Sequence, residues 1–230
     1  MFLVGVFRGC FFRVSQDPLR VAGVDAEGFW SGGNWIAPEA DLFDADLSGD
    51  FLNGAELFGA YLSGANLTGA SLVVPDLTGA YLSKANLPTA NLAYTYFVAA
   101  DLTEADLSAS NLQGARLDGA CLAGVSLEGA NLAYSSLRGA NLRGANLRGA
   151  NFYWADLTGA DLTGANITGA NWASATFADV NATGLVDEHA LWPYELAGDD
   201  AFEEARWALR EAWKRVEQKE AEEEPEDRAA

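Results

Sequence analysis

The most regular feature of the chain is an apolar residue that returns at every fifth position from Leu42 to Phe177. Of the 28 residues in this series, 23 are Leu. Ala stands two residues before the central residue in 22 units, and Gly stands two residues after it in 16. A period of five matches neither an α-helix, at 3.6 residues per turn, nor a flat strand, with its period of two. The pattern predicts a chain that runs briefly extended, turns, and runs extended again.

We number each unit so that Ala occupies position 1, the central apolar residue position 3 and Gly position 5. Positions 1 and 3 lie on the same side of an extended chain, so both are expected to point into a narrow interior. Gly at position 5 supplies the positive φ that a type II turn requires. Six successive units lack this Gly, and type I turns are expected there instead. Their position-5 residues are Lys84, Thr89, Tyr94, Ala99, Glu104 and Ala109.

The unit Ala-(Asp/Asn)-Leu-x-x, seen at its purest over residues 140–149, resembles that of the pentapeptide-repeat proteins across about 140 of the 230 residues. The resemblance implies an all-β solenoid, a right-handed quadrilateral β-helix in which four units close each coil, with about seven coils. Residues 20 apart would then stack in columns. One column is expected to form an outward ladder of amides, with the members Asn91, Asn111, Asn131, Asn151 and Asn171.

The rest of the chain is expected to cap the solenoid. Trp30, Trp35 and Ile36 are expected to cover its first coil. The apolar spacing over residues 199–220 predicts an amphipathic α-helix. Its apolar face would cap the rod or form a dimer, and it consists of Phe202, Leu209, Trp213 and Val216. The domain boundaries are an N-terminal cap at 1–39, the β-helix at 40–182, a C-terminal cap or linker at 183–198, the helix at 199–220 and a disordered acidic tail at 221–230.

The net charge of −19 argues against direct binding of nucleic acid, which needs a basic surface. No apolar stretch is long enough to cross a bilayer, and the first residues lack the basic region of a signal peptide. Cys10 and Cys121 are too few for a disulfide framework. We therefore expect a cytoplasmic protein that makes no membrane contact.

No arrangement of residues indicates catalysis, a metal site or a cofactor. His189 is the only histidine, and no nucleophile elbow lies near it. The two cysteines do not supply a zinc site. The glycines follow the repeat and form no phosphate-binding loop. A non-enzymatic protein is expected.

Two groups of outward residues are candidates for binding a partner. Exposed aromatic residues in a cluster usually mark a contact surface, here a protein partner, the chain's own C-terminal helix or a dimer seam. The aromatic candidates are Tyr94, Tyr134, Tyr153 and Trp154. The acidic candidates are Asp41, Asp46, Asp101 and Asp106, together with Glu56, Asp156 and Asp161.

These groups lead to a first hypothesis and two alternatives. The first is a non-enzymatic protein-interaction module built on an acidic rod. The family resemblance implies the second, because some pentapeptide-repeat proteins mimic DNA, bind DNA gyrase or topoisomerase IV, and give resistance to quinolones or gyrase-targeting toxins. Carboxylates would then stand in for phosphates, and the C-terminal helix would join a homodimer. The third is a structural spacer.

Overall fold

The computed structural model describes residues 28–185 and, by their backbone, two earlier strands. These strands, β1 (Val4–Phe7) and β2 (Cys10–Arg13), form an antiparallel hairpin. A second antiparallel hairpin pairs β3 (Phe29–Ser31) with β4 (Asn34–Ile36).

The second hairpin packs against the start of the repeat region. Trp30 lies opposite Trp35 in its register, and their ring centroids are 5.5 Å apart. Ile36 is buried in the common core, and Trp35 packs against that core. The Ser31 hydroxyl donates a hydrogen bond to Asp50 at 2.6 Å.

From Asp41 onward the chain winds into coils of 20 residues. Each position-2 residue forms a parallel bridge with the residue 20 positions later, from Asp41↔Tyr61 to Asp161↔Asn181. Four five-residue units therefore complete one coil, and the coil has four sides. We call the sides that begin at Leu42, Leu47, Leu52 and Leu57 sides 1 to 4.

The interior of the rod is filled by positions 1 and 3, as the pattern predicts. All 28 central residues are buried, and so are most of the position-1 alanines. Towards the C-terminal end aromatic residues replace Leu, and the Phe152 and Trp172 rings stack with centroids 4.3 Å apart. The edge of Phe177 meets Trp172 at 5.5 Å.

Backbone hydrogen bonds use four of the five N–H groups of a typical unit. The central N–H donates to the next coil, as from Leu57 to the Asp76 carbonyl at 2.8 Å, and position 5 does the same, as from Gly59 to Thr78 at 2.9 Å. Position 2 donates to the preceding coil. Position 1 closes the turn, as from Ala60 to the Leu57 carbonyl at 3.0 Å.

In the described units, the N–H at position 4 has no acceptor within this backbone network. A side chain satisfies it: the Asp76 Oδ1 atom accepts from the Thr78 N–H at 2.9 Å, and Asn166 accepts from Thr168 at 3.1 Å. Asp and Asn are the residues whose short side chains form this turn. This hydrogen bond accounts for the frequent recurrence of Asp and Asn at position 2, although other units of the same ladder hold residues such as Tyr61, Arg116 and Cys121 there.

The amide ladder is present on side 3. Its side chains donate from coil to coil, from Asn111 to Asn91 at 3.1 Å, from Asn131 to Asn111 at 3.2 Å, from Asn151 to Asn131 at 3.1 Å and from Asn171 to Asn151 at 2.9 Å. Asp cannot donate such a bond. The ladder thus accounts for Asn at these positions.

The expectation of type I turns in the Gly-poor units is wrong. Their position-5 residues have φ between 53° and 58°, and the position-5 glycines are also at positive φ. The backbone ladder explains this, because the Lys84 N–H donates to the next coil at 2.9 Å just as a Gly does. A non-Gly residue in this conformation costs roughly 1–2 kcal/mol, and the ladder holds it there.

The buried hydroxyl groups are each hydrogen-bonded. Pro75 occupies position 1 and has no N–H with which to close its turn. The Thr95 side chain, one coil later, donates instead to the Leu72 carbonyl at 2.9 Å. Ser110 and Ser135 donate to the carbonyls of their own turns at 2.7 Å.

Several sequence predictions lie outside the described residues. They are the helix at 199–220 with its apolar face, most of the C-terminal cap at 183–198 and the acidic tail at 221–230. Within the part that is described, the chain forms no helix that could span a membrane.

Candidate protein-interaction surface

A line of large side chains follows the corner between sides 3 and 4. Position 5 of successive units on side 3 holds Val74, Tyr94, Gly114, Tyr134 and Trp154. The three aromatic side chains are 54%, 56% and 58% exposed. Because position 5 is a turn residue at positive φ, each side chain projects from the corner and does not enter the core.

The structure brings the four aromatic candidates onto this one corner, which we call the aromatic corner (Tyr94, Tyr134, Tyr153 and Trp154). The half-buried Tyr153 lies between Tyr134 and Trp154, with ring centroids 5.6 Å and 6.4 Å away. Both contacts are edge-to-face, with interplanar angles of 83°. Such pairs favour a fixed arrangement of the rings.

Gly114 separates Tyr94 from the other aromatic residues, and the Tyr94 ring packs directly against it. A Cβ atom on Gly114 would lie 2.6 Å from two carbons of the Tyr94 ring, too close for any real contact. The absence of a side chain therefore lets Tyr94 lie along the corner.

Replacing Gly114 with Ala is expected to displace the Tyr94 ring and to destabilise the rod. Gly119→Ala is the matched control, because Gly119 has a similar φ of 65° and no atom within 4 Å of the added Cβ. The control should lose about 1–2 kcal/mol from backbone strain alone. Gly114→Ala should lose more and should shift the Tyr94 ring resonances in an NMR spectrum. Equal losses with an unmoved ring would contradict this account.

The corner continues into an acidic cavity that the sequence did not reveal. This cavity has a volume of about 420 Å³ and combines apolar and acidic side chains. It is lined by Gly54, Ala55, Glu56, Phe58, Val74, Asp76 and Tyr96. The 20-residue spacing places Glu56, Asp76 and Tyr96 in one column. This spacing is the sequence feature from which the cavity could have been predicted.

The acidic candidates are engaged in the fold. They do not form one patch. All four lie on sides 1 and 2, but Asp41 and Asp46 are three coils away from Asp101 and Asp106. Each accepts a hydrogen bond from the position-4 N–H of its own unit, at 3.4, 3.1, 3.0 and 2.9 Å. A hydrogen bond from the Ser48 side chain, with one from its backbone, lowers the pKa of Asp46.

Two further carboxylates are paired with arginine. Asp156 lies 2.8 Å from Arg138, and Asp161 lies 3.2 Å from Arg143. Burial by itself raises the pKa of Asp156, but hydrogen bonds from Thr158 and Arg138 outweigh it and lower the pKa overall. The pKa of Asp161 is lowered in the same way. At neutral pH both groups are charged, and their charge is matched within the rod.

Charge is unevenly distributed along the rod. Residues 39–106 carry ten carboxylates and one Lys, whereas residues 107–185 carry five carboxylates and four Arg. Each of these five cations lies within 4 Å of a carboxylate. Exposed pairs of this kind contribute only about 0–1 kcal/mol each. The net negative charge therefore lies almost wholly in the N-terminal half of the described rod.

The described residues were compared with the residue types that bind metal ions. They contain no group of three or more His, Cys, Asp or Glu side chains that could hold a metal ion. The half-buried Cys121 has the Thr103 hydroxyl 3.3 Å from its Sγ atom.

Comparison with known proteins identifies the repeat. The family model described as pentapeptide repeats matches eight copies between residues 39 and 185, and it implies a right-handed β-helix. A search of curated proteins gives no match.

Solved structures give further similarities. HetL, a pentapeptide-repeat protein involved in heterocyst differentiation regulation from the cyanobacterium Nostoc sp. strain PCC 7120, is 27% identical. The alignment covers 64% of this chain and 85% of HetL, with a TM-score of 0.44. A trypsin-treated form of QnrB1, a plasmid-mediated fluoroquinolone resistance protein, is 19% identical, with coverages of 65% and 87% and a TM-score of 0.43. The pentapeptide-repeat protein alr5209 from Nostoc PCC 7120 is 35% identical, with coverages of 40% and 79% and a TM-score of 0.35.

Proposed function

Because the chain belongs to the pentapeptide-repeat family, whose proteins are generally non-enzymatic structural or interaction modules, we propose that it binds a protein partner through the aromatic corner. The repeat supplies a rigid rod, and the corner supplies the contact surface. No chemical step is required of any residue.

The observation that carries this proposal is the exposure of three large aromatic side chains in one column. Tyr and Trp are the residues that most often dominate the energy of protein interfaces. Here they lie on turns that the ladder fixes, so little backbone freedom is lost on binding. The adjacent acidic cavity would accept a basic side chain of the partner, because the carboxylates of Glu56 and Asp76 line it together with Tyr96, whose ring already has Arg116 5.8 Å from its centroid.

The test is photo-crosslinking from a reactive phenylalanine analogue placed at position 134 or, as a control, at position 81. Tyr81 is also exposed, but it stacks on Tyr61 on side 1, with ring centroids 5.1 Å apart. We expect one protein to be captured from position 134 and not from position 81.

The captured protein, once purified, should bind the Trp154→Gly variant with about 2 kcal/mol less free energy, roughly a 30-fold rise in Kd. Gly suits the positive φ of position 154, so the rod should remain folded. The Tyr81→Ser variant should bind within about twofold of the wild type. The same partners at both positions, or equal affinities, would refute the aromatic corner as the binding surface.

The DNA-mimic hypothesis receives narrower support. The acidic half at residues 39–106 could face a DNA-binding surface, but Asp156 and Asp161 are paired with arginine and do not extend that track. A supercoiling assay with purified DNA gyrase, with and without a quinolone, distinguishes the two functions. Inhibition or protection that depends on the acidic half and not on Trp154 would favour mimicry over the aromatic corner.

A further inference from the structure

Two carboxylates of the acidic cavity, Glu56 and Asp76, have no cation beside them among residues 28–185. The five cations of these residues each lie within 4 Å of another carboxylate. The Oδ1 atom of Asp76 accepts from the Thr78 N–H at 2.9 Å, and its Oδ2 atom has no partner in the described part of the chain. Both negative charges of the cavity are therefore left for a ligand to match.

The cavity places these two carboxylates beside one aromatic ring. Glu56 and Asp76 are joined by a parallel bridge on side 4 and lie about 4.8 Å apart along the rod, and Tyr96 follows at the next bridge. Phe58 and Val74 add apolar surface. At about 420 Å³ the cavity is near the lower limit for ligand pockets, roughly 300–1,000 Å³, and it suits a single long side chain.

The next residue of this column provides an example of a cation held by the same ring. The Arg116 guanidinium lies over Tyr96, 5.8 Å from the ring centroid, and 3.5 Å from the Asp118 carboxylate, which offsets its charge. In the order of the bridges, Asp76 precedes Tyr96 and Arg116 follows it. The ring therefore lies between Arg116 and the cavity, and its other side is left for a second cation.

Arginine fits this cavity better than lysine does. A guanidinium carries five N–H donors in one plane, so it can donate to two carboxylates at once while its flat face packs on an aromatic ring. The ammonium group of lysine is a compact and strongly hydrated charge without a flat face. The apolar side chains of Phe58 and Val74 also favour the more weakly hydrated guanidinium.

We propose that the acidic cavity is an arginine-binding subsite, in which Glu56 and Asp76 hold one guanidinium of the partner protein against the side of the Tyr96 ring opposite Arg116. This subsite deepens the proposed function and rests on it for the partner, because the cavity continues the aromatic corner. The partner would present an arginine about 14 Å from the surface that contacts Tyr134, since three coils separate Tyr134 from the level of Val74.

The subsite can be tested without a partner, by NMR titration of the full chain with N-acetyl-arginine methylamide. We expect saturable shifts of the Phe58, Val74 and Tyr96 side chains, with a Kd of order millimolar. The citrulline analogue keeps the shape and loses the charge, so it should give no saturable shift. The lysine analogue keeps the charge and loses the planar group, so it should bind about threefold more weakly or less.

The double variant Glu56→Gln/Asp76→Asn should raise the Kd of the arginine probe by about tenfold. It removes both charges, and Asn keeps an Oδ1 acceptor for the Thr78 N–H, so the rod should remain folded. The control Asp101→Asn/Asp106→Asn removes two charges from sides 1 and 2 and likewise keeps their acceptors. It should leave the Kd within about twofold of the wild type.

A further variant supplies the cation from the chain itself. Gly54 lines the cavity at a corner, has a φ of 68° and leaves open space for an added Cβ. Lys is tolerated at such a corner, since Lys84 has a φ of 58° and lies 3.7 Å from Glu104, one coil later. Gly54→Lys should compete with the probe and weaken its binding several-fold. The control Gly79→Lys adds the same charge at a corner outside the cavity, with a φ of 64°, and should have little effect.

The expected outcomes distinguish the subsite from the proposed function. No saturable shift at tens of millimolar arginine probe, equal binding of the three probes, or an unchanged Kd in Glu56→Gln/Asp76→Asn would each overturn the subsite. A partner captured from position 134 should lose about tenfold in affinity for this variant. Full affinity would overturn the subsite and leave the proposed function intact. Arginine binding without a captured partner would support the subsite and contradict the proposed function.

Discussion

Replacing Trp172 with Ala is expected to lower the free energy of unfolding by about 3–5 kcal/mol, the usual cost of truncating a buried aromatic residue. Trp172 is 1% exposed, and its ring stacks on Phe152 and meets the edge of Phe177. The remaining side chains cannot fill the resulting cavity, because the backbone ladder holds neighbouring coils at a fixed spacing. Urea unfolding followed by far-UV circular dichroism measures the loss without depending on tryptophan fluorescence.

Trp154→Ala is the control for this prediction. It makes the same chemical change on a side chain that points outward and is 58% exposed. We expect it to change the free energy of unfolding by less than about 1 kcal/mol. Similar losses for the two variants would mean that the interior of the rod does not depend on close aromatic packing at its C-terminal end.

Thr95→Val is expected to cost about 1–3 kcal/mol, although it replaces a hydroxyl with a methyl group of similar size. The Thr95 hydroxyl is the donor to the Leu72 carbonyl, in place of the N–H that Pro75 lacks. Without it, a carbonyl buried between two coils would have no donor. Chemical unfolding of the single variant measures this cost.

A double-mutant cycle with Pro75→Ala assigns the cost to this carbonyl. An alanine introduced at position 75 brings an N–H that can close the turn, as the position-1 alanines do in other units. Thr95→Val should therefore cost little, under about 0.5 kcal/mol, when Pro75 has already been replaced. If the cost is the same in both backgrounds, the effect of Thr95 comes from packing and not from the missing N–H.

The sequence was sufficient to predict the interior and the amide ladder. Both depend on periods that are visible in one dimension, five for Leu and Ala and twenty for the Asn91 column. The aromatic corner was likewise found by counting in steps of twenty. This count works because every described unit is five residues long and no insertion interrupts the series.

The errors came from effects that act between coils. Residue preferences favoured type I turns at Lys84 and its neighbours, but the bond to the next coil sets the conformation of every corner alike. The Thr95 hydroxyl supplies the hydrogen-bond donor that Pro75 lacks. Neither a sequence motif nor a residue preference connects these two residues. The sequence indicated the position-2 carboxylates only as outward candidates for binding a partner, because the N–H at position 4 that they accept from becomes evident only when all backbone bonds are traced.

The difference between the five-residue and the twenty-residue period has a consequence for how such a chain can grow. A duplication of five residues would preserve the buried pattern but rotate every later side chain by a quarter turn around the rod. A duplication of twenty would lengthen the rod and keep the column of Tyr94, Tyr134 and Trp154 on one corner. Selection for stability alone therefore accepts either event, whereas selection for a continuous contact surface accepts only whole coils.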